Sequence, residues 1–186
     1  NEFLDKYLFL PLGMQDTTFA LSEDQKARMI AMHNYTEQQG GFAVPKSLDT
    51  IFEGIPVTQY CGGAGLAATL DDYVIFGEML THGGTLGGVR ILSPESVKKM
   101  GSAMVTEAIM PPPIQWGLGV RVITADGYQM PKGCFGWSGA YGTHYWSDPE
   151  NCITAVYMKN SGYDGGAGAL TSFLYEQDVY ASFEAE

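Results

Sequence analysis

The residues in this chain equipped to do chemistry are few, and their spacing excludes more than it selects. His33, His82 and His144 do not have the spacing of a metal-binding cluster, and no pair of carboxylates has the arrangement that a two-acid mechanism demands. Cys61, Cys134 and Cys152 give an odd count, with neither an even disulfide framework nor closely spaced ligand pairs. Each reads as a buried or weakly exposed thiol, with a Cys134 to Cys152 bridge left open. The run Cys61-Gly62-Gly63-Ala64-Gly65 allows close backbone approach in a tight turn beside a cleft. It lacks the Lys and Ser/Thr of a P-loop and the full dinucleotide fingerprint, so neither nucleotide, cofactor nor metal is expected. Trp137-Ser138-Gly139, read from the residues alone, is a cross-strand tryptophan running into an ordinary turn at Gly139 to Gly142. His144, close by, reads as a strand residue that packs or hydrogen-bonds rather than a general base.

These residues must be held by elements that hydrophobic periodicity and breakers locate. Phe3, Leu4, Tyr7 and Leu8 have helical spacing, which predicts a helix over 1–10 that Pro11 and Gly13 break. A polar segment follows through Gln39 to the Gly40-Gly41 breaker, and Pro45 to Pro56 reads as an irregular connection. Thr69, with Asp72 three positions later, is a helix cap. Tyr73, Phe76, Gly77 and Leu80 lie on one face of that helix, and Gly83-Gly84 stop it. Ser93-Pro94 starts another helix, with Glu95 at its favourable end. After Pro111 to Pro113, alternation over Gln115 to Ile123 predicts a strand. Asp126-Gly127 is a turn signal, and Phe135 to Ser138, Thr143 to Ser147 and Cys152 to Met158 read as further strands of an antiparallel sheet. Beyond the breakers at Ser161 to Gly168, a helix is expected to turn Ala169, Leu170, Phe173, Leu174 and Gln177 towards that sheet.

The bulk composition suits one folded domain. The 186 residues are 45% hydrophobic and 12% aromatic, and the mean hydropathy is -0.05, too apolar for a disordered chain. A formal net charge of -11 opposes binding to nucleic acid or anionic membrane surfaces. No apolar stretch reaches the roughly 18 residues of a spanning helix. The compartment stays open, since an upstream export signal is compatible with this chain.

Several segments, in order, resemble the class C beta-lactamase-related serine hydrolases and penicillin-binding proteins. Pro11-Leu12-Gly13-Met14-Gln15-Asp16-Thr17-Thr18-Phe19 resembles the stretch after that family's middle motif, and Gly62 to Tyr73 resembles its glycine-rich turn and helix. Ile91 to Val97, Trp116 to Val120, Trp137-Ser138-Gly139, Gly142-Thr143 and Trp146 to Glu150 extend the likeness along nearly the whole chain. The resemblance implies an α/β fold of the alpha+beta kind, a partial beta-lactamase/transpeptidase-like fold with an antiparallel sheet and packed helices. Residues 1–110 would form a mainly helical and loop region and 111–186 the strands and terminal helix. All of 1–186 would be the carboxyl-terminal portion of one hydrolase domain.

The family chemistry is acyl transfer through a serine ester. Its Ser-x-x-Lys nucleophile and its Tyr motif should lie upstream, on an amino-terminal fragment that acts as the partner of this chain. The isolated chain is expected to be inactive, with open sheet edges that favour self-association. Ser96-Val97-Lys98-Lys99 has the nucleophile spacing but follows the glycine-rich landmark, so it reads as a surface helix, and Tyr7 reads as packing. Trp137-Ser138-Gly139 occupies, by resemblance, the strand filled by Lys-Thr-Gly in many lactamases. The Ala140 N–H would be one oxyanion donor, Gly139 would let the acyl group approach, Ser138 would contact substrate and Trp137 would wall the pocket. Trp137 in place of a cation shifts the preference from lactam to ester or peptide-like acyl substrates. A D-peptide hydrolase or transacylase, a beta-lactamase-like enzyme and a catalytically silent ligand-binding relative are the alternatives.

Overall fold

The computed structural model describes residues 2–35, 43–46, 60, 62–63, 65–161 and 168–184. The expected Gly40-Gly41 breaker, most of the Pro45 to Pro56 connection, Cys61, Ala64 and residues 162–167 lie outside them. In chain order the elements are α1 (Glu2–Leu4), a π-helical turn (Asp5–Phe9), α2 (Leu10–Leu12), α3 (Glu23–Arg28), β1 (Met32–Tyr35), β2 (Ala43–Lys46) and α4 (Leu70–Thr81). They continue as β3 (Thr85–Leu86), β4 (Val89–Arg90), α5 (Pro94–Met100), β5 (Ile114–Trp116), β6 (Arg121–Ile123), β7 (Phe135–Ser138), β8 (His144–Asp148), β9 (Ile153–Tyr157) and α6 (Leu170–Glu184).

The opening helical run carries through Pro11 and ends at Gly13, which adopts the left-handed conformation at φ 75°. Pro11 falls directly after the π-helical turn, at the second position of α2, so the run passes through it without a bond from its nitrogen. The polar segment is more structured than its composition suggests. Ser22 and Gln25 form a reciprocal capping box on α3, and β1 pairs antiparallel with β2, with His33 opposite Pro45. The start of the predicted Pro45 connection is therefore strand, as an edge position permits.

One five-stranded antiparallel sheet, in the order β5-β6-β7-β8-β9, organises the remainder. Its last three strands fall within a residue of their predicted bounds. The single strand predicted over Gln115 to Ile123 is instead a hairpin, with Trp116 opposite Arg121. Gly119 at φ 76° reverses the chain, and a Cβ at Gly117 would sit 2.1 Å from the Met100 carbonyl oxygen. The alternation is real but belongs to two short strands.

Helices cover both faces. Thr69 Oγ1 caps α4 by accepting the Asp72 N–H at 3.2 Å. Met79 and Leu80 of α4 join Val122, Phe135 and Tyr145 in one apolar core. Gly77 sets the approach of α4 to the sheet: a Cβ there would lie 2.6 Å from Thr154 Cγ2 and 2.8 Å from Tyr145 Cε2. On the opposite face Tyr175, Val179 and Tyr180 of α6 pack on Ile123, Cys134, Trp146 and Ala155.

The face that α6 turns to the sheet differs from the expected one. Ala169 is buried as predicted, but Leu170, Phe173 and Leu174 are 62%, 41% and 45% exposed, while Ser172 and Glu176 are buried. Polar bonding decides this orientation, because Glu176 meets Arg121 and His144 beneath the sheet. Hydrophobic periodicity registers the apolar stripe and is blind to that pairing.

Candidate functional site

The end of β7, the turn that follows and the start of β8 bring the predicted site residues together. Ser138 pairs with His144 and Trp137 with Tyr145 across the two strands. Successive strand residues point to opposite faces, so Trp137 and Ser138 diverge. Trp137 lies on the α4 side, nearly half exposed, with its ring 4.4 Å from that of Trp116. It borders a concavity of about 140 Å³ together with Tyr73, Gly139, Thr143, Tyr145 and Met158. Burial raises the pKa of the Tyr73 and Tyr145 phenols, which keeps them protonated donors.

The turn is held by two backbone bonds. The Gly139 N–H donates to the Thr143 carbonyl at 2.8 Å, and the Gly142 N–H to the Gly139 carbonyl at 2.9 Å. Ala140 lies between them, exposed, and no group among the described residues accepts from its N–H. Gly139 has a further constraint: a Cβ there would be 2.3 Å from Thr143 Oγ1, so a larger residue needs that hydroxyl to move.

Ser138 points the other way, into the molecule. It is buried, and its Oγ lies 2.8 Å from His144 Nδ1. His144 Nε2 lies 2.8 Å from Glu176 Oε1. Glu176 also accepts from Arg121, Gln129 and the Tyr128 hydroxyl, the last at 3.2 Å. The hydroxyl expected to face substrate is thus engaged with a histidine. Burial opposes ionisation of Glu176, but the hydrogen bond from His144 and the charge of Arg121 together hold its carboxyl below the usual range.

The residue pattern gave no signal for Glu176, Arg121, Tyr128 or Gln129. Their separations along the chain, 32 residues from His144 to Glu176 and 55 from Arg121 to Glu176, are closed only by the fold. Ser96 and Lys99 stand apart from this site on α5. Both are exposed, and Ser96 Oγ bonds Ser93 Oγ at 3.1 Å. Asp72 has a structural role in addition to its place at the helix start: it accepts the Asp16 N–H at 2.7 Å and the Thr17 hydroxyl at 2.8 Å. Among the described residues no group of three or more His, Cys, Asp or Glu is arranged to hold a metal ion, and no helix is long and apolar enough to cross a membrane.

A family model described as Beta-lactamase matches residues 1–177. Protein Rv1367c from Mycobacterium tuberculosis strain H37Rv is 34% identical over 176 residues, covering 84% of this chain and 42% of that protein. The uncharacterized protein MT1414 from Mycobacterium tuberculosis strain CDC 1551 matches equally. Among solved structures, the simvastatin synthase LovD from Aspergillus terreus superposes with a TM-score of 0.78 at 20% identity, covering 100% of this chain and 51% of its own. EstCE1, described as a hydrolase with promiscuous acyltransferase activity, gives 0.70 at 21%, covering 95% and 49%. A penicillin-binding protein homolog from Caulobacter crescentus gives 0.63 at 22%, covering 97% and 52%. These structures share the alpha+beta fold, and the chain spans about half the length of the proteins it matches.

Proposed function

Because the chain belongs to the beta-lactamase family, we propose that it is the substrate-side half of a serine acyl hydrolase, esterase-like in its substrates. An amino-terminal half carrying Ser-x-x-Lys and a Tyr completes it. The observation that carries this reading is the Ala140 amide, which has no acceptor among the described residues and sits on the turn beside the Trp137-walled concavity. In acyl transfer the serine oxygen adds to the acyl carbonyl, and its proton passes to the lysine or tyrosine. The alcohol leaves with a proton, and water then cleaves the serine ester. The intermediate oxyanion takes hydrogen bonds from the Ala140 N–H and from the serine's own N–H, both oriented before the charge forms.

The concavity favours an uncharged acyl group. Among the described residues its lining is mainly aromatic and aliphatic, from Tyr73, Trp137, Tyr145, Val156 and Met158 with Gly139, Thr143 and His144, and includes no Lys or Arg. A carboxylate entering it would lose hydration without gaining an ion pair. The acyltransferase activity of EstCE1 and the synthase activity of LovD belong to those proteins and support an acyl-transfer reading here.

Two surfaces support the partner half. The stripe of Leu170, Phe173 and Leu174 on α6 is exposed. Among the described residues β9 of the five-stranded sheet pairs on one side only, with β8, an edge that could accept another strand.

Intact-mass measurement under native and denaturing conditions, with a phosphonate ester as serine-directed probe, tests the proposal. The expected result is a species holding both halves, with the probe's mass on the Ser-x-x-Lys segment. A probe that binds the completed protein without mass gain would overturn the enzyme reading in favour of a silent ligand binder.

A further inference from the structure

An oxyanion donor supplied by the backbone needs only a well-placed amide, yet the strand pair that supplies it stands on a buried charged chain. Ser138 and His144 are the last paired residues of β7 and β8, so residues 139–143 project from that pair. Glu176, held ionised, only accepts hydrogen bonds. His144 Nε2 must therefore carry the proton it shares with Glu176. Its Nδ1 lies 2.8 Å from the Ser138 hydroxyl, which can donate to that nitrogen or accept from it. The last link, Glu176, is on α6 and is tied to β6 and the loop after it by Arg121, Tyr128 and Gln129.

We infer that Ser138, His144 and Glu176 are positioning residues that clamp the base of the 139–143 turn to α6, so that the Ala140 N–H meets the acyl oxyanion. The inference rests on the acyl-hydrolase reading above and assigns Ser138 a different task from substrate contact. The serine-to-histidine-to-carboxylate order resembles a nucleophilic triad, but a Ser138 that is only 5% exposed cannot be reached by an acyl carbonyl. The same bonding gives directional restraint instead. A displacement of about 1 Å in a catalytic donor costs on the order of a hundredfold in rate, so a clamp that prevents a fraction of that movement is worth about tenfold.

The test uses the completed hydrolase, with this chain joined to its Ser-x-x-Lys half, and compares Ser138→Ala with Ser138→Thr. Hydrolysis of p-nitrophenyl butyrate and hydrogen exchange of the Gly139 amide, which is bonded to the Thr143 carbonyl at the base of the turn, are the two readouts. Ser138→Ala is expected to lower kcat about tenfold with KM within about twofold, and to speed exchange at Gly139. Ser138→Thr, which keeps the hydroxyl, restores both. A raised KM with kcat intact overturns the clamp, because Ser138 would then touch substrate directly. Unchanged kcat and unchanged exchange overturn it as well. If the wild-type protein forms no acyl-enzyme, the hydrolase reading falls, while exchange at Gly139 still decides whether the clamp exists. Nitrogen NMR of His144 tests the clamp in the unsubstituted protein: a proton on Nε2 is required, and a bare Nε2 overturns the inference.

Discussion

Replacing Arg121 with Met removes the arginine bonded to a carboxylate that is 1% exposed, while leaving a side chain of similar length. Arg121 itself is 14% exposed at the side chain, so the pair is poorly screened by water. In Arg121→Met, Glu176 keeps His144, Tyr128 and Gln129 but loses its counter-charge. Stranding a buried charge in this way costs about 3–5 kcal/mol. The three remaining donors place the expected loss near the lower end, about 3 kcal/mol at neutral pH.

The pH dependence follows from the direction of the shift. The folded-state pKa of Glu176 lies below its ordinary value of 4.5. Its interactions therefore contribute stability above that ordinary value, and the contribution is lost as pH falls through the depressed folded value. Without Arg121, burial dominates and the carboxyl's pKa rises, so the variant protonates Glu176 at a higher pH and relieves its own penalty. Urea unfolding followed by tryptophan fluorescence should show the gap between wild type and variant shrinking from about 3 kcal/mol near neutrality to about 1 kcal/mol near pH 4. A gap under about 1 kcal/mol at neutrality, or one that does not narrow with acid, refutes the reasoning.

Three further outcomes are expected. Gly136→Ala puts a Cβ 2.0 Å from the Tyr145 carbonyl oxygen and 2.6 Å from the Trp146 Cα; since backbone cannot yield as a side chain tip can, stability should fall by about 3 kcal/mol, read as a lower Tm. In the completed hydrolase Trp137→Ala removes the wall of the concavity and its contact with Trp116, so KM for a neutral ester should rise about tenfold with a smaller change in kcat. Native alkylation with iodoacetamide should label exposed Cys152 and spare Cys134, whose thiol burial pushes up to about 12; peptide mapping should find Cys134 labelled only after unfolding.

The residue pattern located elements well where a local signal was complete. Thr69 caps its helix as its spacing with Asp72 implies, and Ser93 caps the helix that Ser93-Pro94 predicts. The strand bounds of β7, β8 and β9 follow from alternation broken by Gly139 to Gly142 and by Asp148 to Asn151. The pattern erred where a signal was local but its reading was tertiary. Alternation from Gln115 to Ile123 counted a hairpin as one strand, and the apolar stripe of α6 was assigned to the sheet when Glu176 had already fixed the opposite face there. The β1 and β2 pair was missed because its polar residues and Pro45 carry no strand periodicity.

For the candidate site the division is sharper. The order of short segments along the chain pointed to the family and to residues 137–140, because a turn and its strand are contiguous in sequence. Which way Ser138 faces, and what it bonds, depended on strands and a helix that meet only after folding. A lone serine, histidine, arginine and glutamate scattered from 121 to 176 have no period and no motif. Sequence by itself determined the elements and the turn, through propensity and capping that act within a few residues; tertiary structure decided the buried chain beneath it, because a charge can be buried only where its partners converge.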